Sequence, residues 1–304
     1  MNAPHPIDAA AADAAAAPPV LTGTRSYPWL PSGPALLFAP ADRPERFSKA
    51  AARADMVILD LEDGAAEAAH ERGQKNIIDN PLDPQRTILR ITGPGTPTFA
   101  ADVAFARRSG YGIVMVPKIR ESIPAELSGL SIIAMVETPQ AVINIQALAQ
   151  HPDVIGLFWG AEDLTAELGG TSSRYSASED PGRSYRDPQR LTRALVQMHA
   201  AAAGIVAIDA IHADFRDTEG QYAEALDAAG CGFMATACIH PAMVEPVRRA
   251  YTPAAAELER AQAIVAQAGR HVGAFQLNGE MIDAPVVKQA VATLTRAGLA
   301  PAQR

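Results

Sequence analysis

The 304-residue chain has only two cysteines, too few for a disulfide framework at this length. Cys231 and Cys238 are not spaced as CxxC, so redox and zinc chemistry are not favoured. The expectation is two small buried hydrophobes in a reducing cytoplasm. No apolar run approaches the ~20 residues that span a bilayer. Positive charge is not in excess: 26 Lys and Arg stand against 34 Asp and Glu, a net charge of −8. Nucleic acid and anionic membranes, which need a basic face, are therefore not expected as partners. The Ala-rich start lacks a basic stretch and is interrupted by Asp8 and Asp13, so it does not read as a secretory signal. The GxGxxG fingerprint of dinucleotide-binding folds is also missing, since the turn after the first strand-like run reads APADRPERF.

What the chain does have is a rhythm. Apolar runs at Ala35–Ala39, Met56–Leu61, Thr87–Ile91, Ile113–Val116, Ser131–Val136, Val154–Trp159, Ile205–Ile208 and Gly232–Ile239 alternate with helical passages. Strands that alternate with helices imply parallel βαβ units, and eight of them imply an α/β fold of the (β/α)8 barrel type. Residues 1–31, rich in Ala and Pro, read as a flexible tail; 32–250 as the barrel; 251–304 as a C-terminal helical extension. Asp42 and Pro44 read as the cap and first turn of a helix to Arg53, and Thr138 and Pro139 as those of a helix to Gln150. Leu195, Met198 and His199 are expected on one side of a helix over Thr192–Ala203. Tyr222, Ala225 and Leu226 are placed at helical spacing in Glu219–Ala229. The stretch Gly169–Pro188 is long, rich in Gly and Ser, and carries Arg174, Arg183 and Arg186. It reads as a lid or binding loop.

Polar residues at strand ends are the candidates for chemistry, because barrels of this type build active sites on the C-terminal rim. They are Asp42 and Arg43, Asp60, Glu62 and Asp63, Arg90, Lys118, Glu137, Asp163, Asp209 and His212, and His240. Glu137 and Asp163 are hard oxygen donors at the ends of adjacent strands, and a pair of carboxylates with no Cys or His beside it favours Mg2+ over Zn2+. The competing reading is that they cap the helices that follow. In LDLEDG, alternation puts Asp60 and Glu62 on one face, the barrel interior, where acids need a partner. That partner is a salt bridge to Arg90 or Lys118, a nearby cation, or both. Arg90 suits a bidentate carboxylate contact. Lys118 is read as electrostatic, with a Schiff base as the rival role. His240, Asp209 and His212 read first as structural, and Asp283 as a helix cap.

Taken in order, FAPADRPERF, VILDLEDG, LRI, VPK, AMVET, WGAEDLTAELGG and CIHP resemble the citrate lyase β-subunit-like proteins of the HpcH/HpaI aldolase superfamily. The resemblance runs from about Pro34 to the C-terminus. It implies Mg2+-dependent cleavage or formation of a carbon–carbon bond, with Glu137 and Asp163 as metal ligands and Arg90 as the carboxylate clamp. Glu62 and Asp63 match the family's acidic pair. Asp283, in NGEMIDAPVV, matches an acid that reaches a neighbouring subunit's site, which implies a homo-oligomer, trimer or hexamer. The implied substrate is a carboxylated 3-hydroxyacyl-CoA of the citryl, malyl or citramalyl type. Its products are acetyl-CoA and a 2-oxo acid such as oxaloacetate, pyruvate or glyoxylate. Arg43, Arg46 and the loop arginines are available for the CoA phosphates, and Lys118 for the substrate. The alternatives are a CoA-free pyruvate aldolase, a malate-synthase-like condensing enzyme, a β subunit acting on an acyl carrier protein thioester, and an inactive scaffold.

Overall fold

The computed structural model describes residues 27–62, 70–176, 178–179, 184–271 and 273–299. Contacts divide the chain into two units, Arg25–Thr252 and a second that holds Pro253–Arg304.

The first unit is a closed barrel of eight parallel strands paired in sequence order. They are β1 (Ala35–Pro40), β2 (Met56–Asp60), β3 (Thr87–Arg90), β4 (Ile113–Val116), β5 (Ser131–Val136), β6 (Val154–Trp159), β7 (Val206–Asp209) and β8 (Ala235–Cys238). β8 pairs back onto β1, with Leu36 opposite Ala237, which closes the ring. The expected (β/α)8 barrel is therefore present, and the last strand is shorter than its apolar run.

The connecting helices are α1 (Phe47–Arg53), α2 (His70–Asp79), α3 (Phe99–Ser109), α4 (Pro139–Ile143), α5 (Ile145–Ala149), α6 (Ala161–Glu167), α7 (Asp187–Ala203), α8 (Thr218–Cys231) and α9 (Val244–Tyr251). One connection departs from the alternation: β4 and β5 are joined by a single 3-10 turn, Ala125–Leu127, with no α-helix. Thr138 caps α4 as expected, its hydroxyl accepting from the Ala141 N–H at 3.1 Å. Asp42 does not cap the turn after β1. The cap there is Arg43, without a side-chain bond.

Strand alternation sorts the apolar residues into two clusters. Leu36, Met56, Ile58, Ile88, Met115, Ile133, Met135, Phe158, Val206 and Ile208 pack with one another inside the barrel. Leu37, Val57, Leu59, Leu89, Val114, Ala134, Val136, Leu157, Trp159 and Ala207 pack outward with helix residues such as Phe47, Val103 and Val196. Both faces are buried, so these strands read as continuous apolar runs. Each fully buried Leu, Ile or Val contributes roughly 1.5–3 kcal/mol.

Three expectations about burial are corrected. α7 buries Gln189, Thr192, Val196 and Ala200, and Met198 is 58% exposed. α8 buries Gln221, Ala225, Ala228 and Ala229, and Leu226 faces solvent. Small side chains let a helix lie close against the barrel, so on α8 an alanine stripe, rather than the largest residues, marks the inner face. Cys231 is exposed at the end of α8, whereas Cys238 is buried in β8. The expected tail lies mostly outside the described residues. Its last part does not, since Tyr27 and Trp29 pack against the interior cluster.

The second unit contains α10 (Ala255–Ala268), a hairpin of β9 (Phe275–Leu277) and β10 (Glu280–Ile282), and α11 (Ala284–Arg296). Ala261 and Ile264 pack with Ile282, Val287, Ala290 and Leu294 in a core of their own. Among the described residues no helix is long and apolar enough to cross a membrane.

Candidate active site

Period-two alternation decides which side chains reach the barrel mouth. In β5, Ile133 and Met135 point inward, so Glu137 does too. In β2, Met56 and Ile58 point inward, followed by Asp60 and then Glu62; in β3, Ile88 is followed by Arg90. The same count sends Asp209 outward with Ala207. Asp209 is in fact bonded to the Trp159 indole at 2.7 Å and to Arg193 of α7 at 2.9 Å.

The inward residues meet in a cavity of about 630 Å³ at the C-terminal rim. Its walls include Phe38, Arg46, Lys49, Asp60, Arg90, Met135, Glu137, Phe158, Gly160, Asp163 and His240. Arg90 is gripped in a bidentate pair: Nε and Nη2 each donate to Asp60 at 2.7 Å, and Nη1 lies 3.0 Å from Glu62. Its guanidinium also sits 4.8 Å over the Phe38 ring. The interior acids are thus paired with Arg90, and the arginine's plane is fixed by them. Asp63 lies outside the described residues.

Glu137 is fully buried. Its Oε1 accepts the Lys118 backbone N–H at 2.8 Å, and its Oε2 has no hydrogen-bond partner. Burial pushes its carboxyl up to about 7, against the lowering effect of Lys118. Gly160 makes room for it: a Cβ there would lie 2.5 Å from Oε2. Asp163 is not at a strand end, as expected, but in the first turn of α6. The Lys118 ammonium pairs with Asp163 and lies 3.6 Å from Glu137 Oε1. Burial would lower the Lys118 pKa, but the two carboxylates push it up to about 12.

Neither acid caps a helix. Thr138 caps α4, and α6 starts at Gly160 without a side-chain bond. Among the described residues no group of three or more His, Cys, Asp or Glu forms a metal cluster. A pair of carboxylates, one with an orphaned buried oxygen, fits a hard divalent cation that completes its shell with water and substrate.

The remaining expected residues have other partners. Arg43 is 57% exposed beside Asp42, and the cavity is lined by Arg46 and Lys49 rather than by Arg43. His240 caps the turn Pro241–Met243 and its ring lies 5.1 Å from that of Phe215 in a tilted arrangement. His212 pairs with Glu224 at 3.1 Å. Arg174, expected to be available for phosphate, is spent inside the protein, donating to Glu162, Tyr185, Glu224 and the Ile211 carbonyl at 2.6–2.9 Å. Arg186 is bonded to Glu179 at 2.7 Å. In the second unit, Asp283 caps α11, its Oδ1 accepting from Val286 at 3.2 Å.

Gly160 and Lys49 carry no expectation from the sequence, and Arg174 departs from its expected role. Gly160 matters through its closeness to Glu137; its only sequence signal is its place between a strand and an acidic turn. Arg174 ties the long loop to Glu162, the neighbour of Asp163. As one arginine among three in a polar loop, it carried no such signal.

Paired carboxylates beside a clamped arginine on a barrel rim suit the binding of a small oxygen-rich anion together with a divalent cation. The chain belongs to the HpcH/HpaI aldolase/citrate lyase family, which it matches over residues 35–126 and 120–241. It is 44% identical to a citrate lyase subunit beta-like protein of Mycobacterium tuberculosis over 90% of this chain and 98% of that one. It is 29% identical to an L-malyl-CoA/beta-methylmalyl-CoA lyase of Cereibacter sphaeroides over 84% and 91%. A crystal structure of CitE from M. tuberculosis in complex with magnesium, acetoacetate and coenzyme A superposes with a TM-score of 0.81 at 45% identity. The match covers 88% of this chain and 98% of that one.

Proposed function

We propose that the protein is a Mg2+-dependent carbon–carbon lyase. Its substrate is a carboxylated 3-hydroxyacyl-CoA of the citryl, malyl or citramalyl type, cleaved to or formed from acetyl-CoA and a 2-oxo acid. The observation that carries this reading is Glu137, buried with an orphaned oxygen beside Asp163, in one cavity with Arg90. The relatives support it, being a malyl-CoA lyase and a protein whose structure holds magnesium and coenzyme A.

Glu137 and Asp163 would hold Mg2+, which as a Lewis acid lowers the pKa of the substrate hydroxyl and stabilises the forming keto group. Arg90, fixed by Asp60, presents its guanidinium to the substrate carboxylate and sets the orientation. Arg46 and Lys49 put positive charge on the cavity wall for the CoA phosphates, a role in which they replace Arg43. An acid of the LDLED stretch, Glu62 or Asp63, takes the hydroxyl proton. The C–C bond then breaks, and its electron pair becomes the enolate of acetyl-CoA. Asp283 of a neighbouring subunit in a homo-oligomer protonates that carbon, or removes the proton in the reverse direction.

The test is a panel of malyl-, citramalyl- and citryl-CoA assayed with Mg2+ for release of acetyl-CoA. It is repeated on Glu137→Ala, Arg90→Ala and Asp283→Ala. Each variant is expected to lose most turnover. Near-wild-type rates in all three would overturn the assignment, and cleavage of free hydroxy-oxo acids alone would make the protein a CoA-free aldolase.

A further inference from the structure

Lys118 is built into the site twice. Its backbone has φ +53, in the left-handed region that costs a side-chain-bearing residue of order 1–3 kcal/mol. In that conformation its N–H donates to Glu137 Oε1 at 2.8 Å. Its ammonium then turns back onto the same pair, touching Asp163 and lying 3.6 Å from Glu137. Gly93 leaves the space this requires, since a Cβ there would be 3.0 Å from the Lys118 Cβ. Backbone and side chain of one strained residue therefore converge on the two carboxylates.

The physical problem they answer is repulsion. Two carboxylates aimed at one point, one of them fully buried, raise each other's cost of ionisation unless a cation lies between them. A divalent ion bound by the same oxygens would meet the ammonium at ion-pair distance, where like charges repel strongly in a partly desolvated mouth. We propose that Lys118 is the resident counter-ion of the metal site. It holds Glu137 and Asp163 in place when no metal is bound, and divalent cation binding is an exchange in which the ammonium releases both carboxylates. This rests on the reading of Glu137 and Asp163 as metal ligands. The freed ammonium stays tethered at the mouth, where Glu62 contributes to its surroundings and an anionic substrate would meet it. The role differs from direct substrate binding in that it sets metal affinity before any substrate arrives.

Calorimetric titration of the full chain with Mg2+ alone, and spin-resonance titration with Mn2+, tests the exchange on Lys118→Met, Lys118→Gln and Lys118→Arg. Removing the charge is expected to tighten Mg2+ binding about tenfold or more and to lower the melting temperature of the metal-free protein. That deficit should shrink at saturating Mg2+. The arginine variant, which keeps the charge, is expected to stay near wild type in metal affinity. Unchanged or weaker Mg2+ binding in both Met and Gln variants, while Glu137→Gln and Asp163→Asn abolish it, would overturn the exchange and leave the metal site standing. Unaltered Mg2+ binding in Glu137→Gln and Asp163→Asn would remove the metal site and the exchange together.

Discussion

Gly160 and Glu137 approach so closely that a single added methyl group on Gly160 would lie 2.5 Å from the glutamate's buried Oε2. Gly160 is the first residue after β6 and the cap of α6, the helix that carries Asp163. The contact therefore links Glu137 to the start of the helix that carries Asp163. Gly160→Ala is expected to fold, since its φ of −106° suits any residue. It should bind Mg2+ and turn over substrate roughly 10–100-fold less well. Circular dichroism and calorimetry check the two halves; an alanine variant with wild-type Mg2+ affinity would show that the contact is slack.

Arg90 and Asp60 form a buried bidentate pair, with side-chain exposures of 9% and 4%. Removing one partner of such a pair leaves an uncompensated charge and costs about 3–5 kcal/mol. Arg90→Ala is therefore expected to lose stability as well as turnover. Arg90→Lys should recover part of the stability but little of the activity, because an ammonium cannot copy the two-pronged geometry. Urea denaturation beside steady-state kinetics separates these effects.

His212 and Glu224 make stability depend on pH. Burial alone would lower the His212 pKa, but Glu224 raises it above its ordinary 6.5. Burial alone would raise Glu224, but His212 and Arg174 bring it down from 4.5 to about 2. The raised histidine contributes stability that is complete below 6.5 and lost as pH rises through its folded value. The depressed glutamate contributes stability that is complete above 4.5 and lost as pH falls towards 2. Both contributions are present between those values. His212→Gln should thus be less stable than wild type near pH 5.5, and the difference should shrink as pH rises through the histidine's raised folded value. Melting curves across that range test this, and a pH-independent difference would argue against the pair.

Arg174 fastens the loop after α6 by four partners: Glu162 of α6, Tyr185 of the loop itself, the Ile211 carbonyl after β7 and Glu224 of α8. Arg174→Ala leaves Glu224 with less compensation and should cost about 3–5 kcal/mol. The loop is expected to become the first site of limited proteolysis, and Mg2+ affinity to drop through Glu162, the neighbour of Asp163. Protease protection equal to wild type would mean that the loop is held by other contacts.

Metal removal should act on stability as well as on turnover. A ligand that binds only the folded state stabilises it by about 2.7 kcal/mol at a hundred times its dissociation constant. A chelator is therefore expected to abolish lyase activity and lower the melting temperature. Mg2+ should restore both in wild type and neither in the Glu137→Gln variant.

Much of this architecture is legible in the residue order, because it depends on local periodicity. The eight apolar runs become eight strands, and alternation alone carries Asp60, Glu62, Arg90 and Glu137 into the mouth. The same rule, applied to Asp209, would have sent it outward with Ala207. The inner faces of α7 and α8 differ from the expected ones because apolar size is a poor guide there: α8 packs through alanines, and α7 buries Gln189 and Thr192 beside Val196 and Ala200.

The sequence by itself thus determined the barrel and the inward set, since these follow from a period of two. Tertiary structure decided the rest. It turned the Lys118 ammonium back onto Asp163, put Gly160 against Glu137, gave the cavity wall Arg46 and Lys49, and committed Arg174 to Glu224. Each of these contacts brings segments that are distant in the sequence within a few ångströms. No local pattern along a chain encodes such distances, because they are set by how whole elements pack.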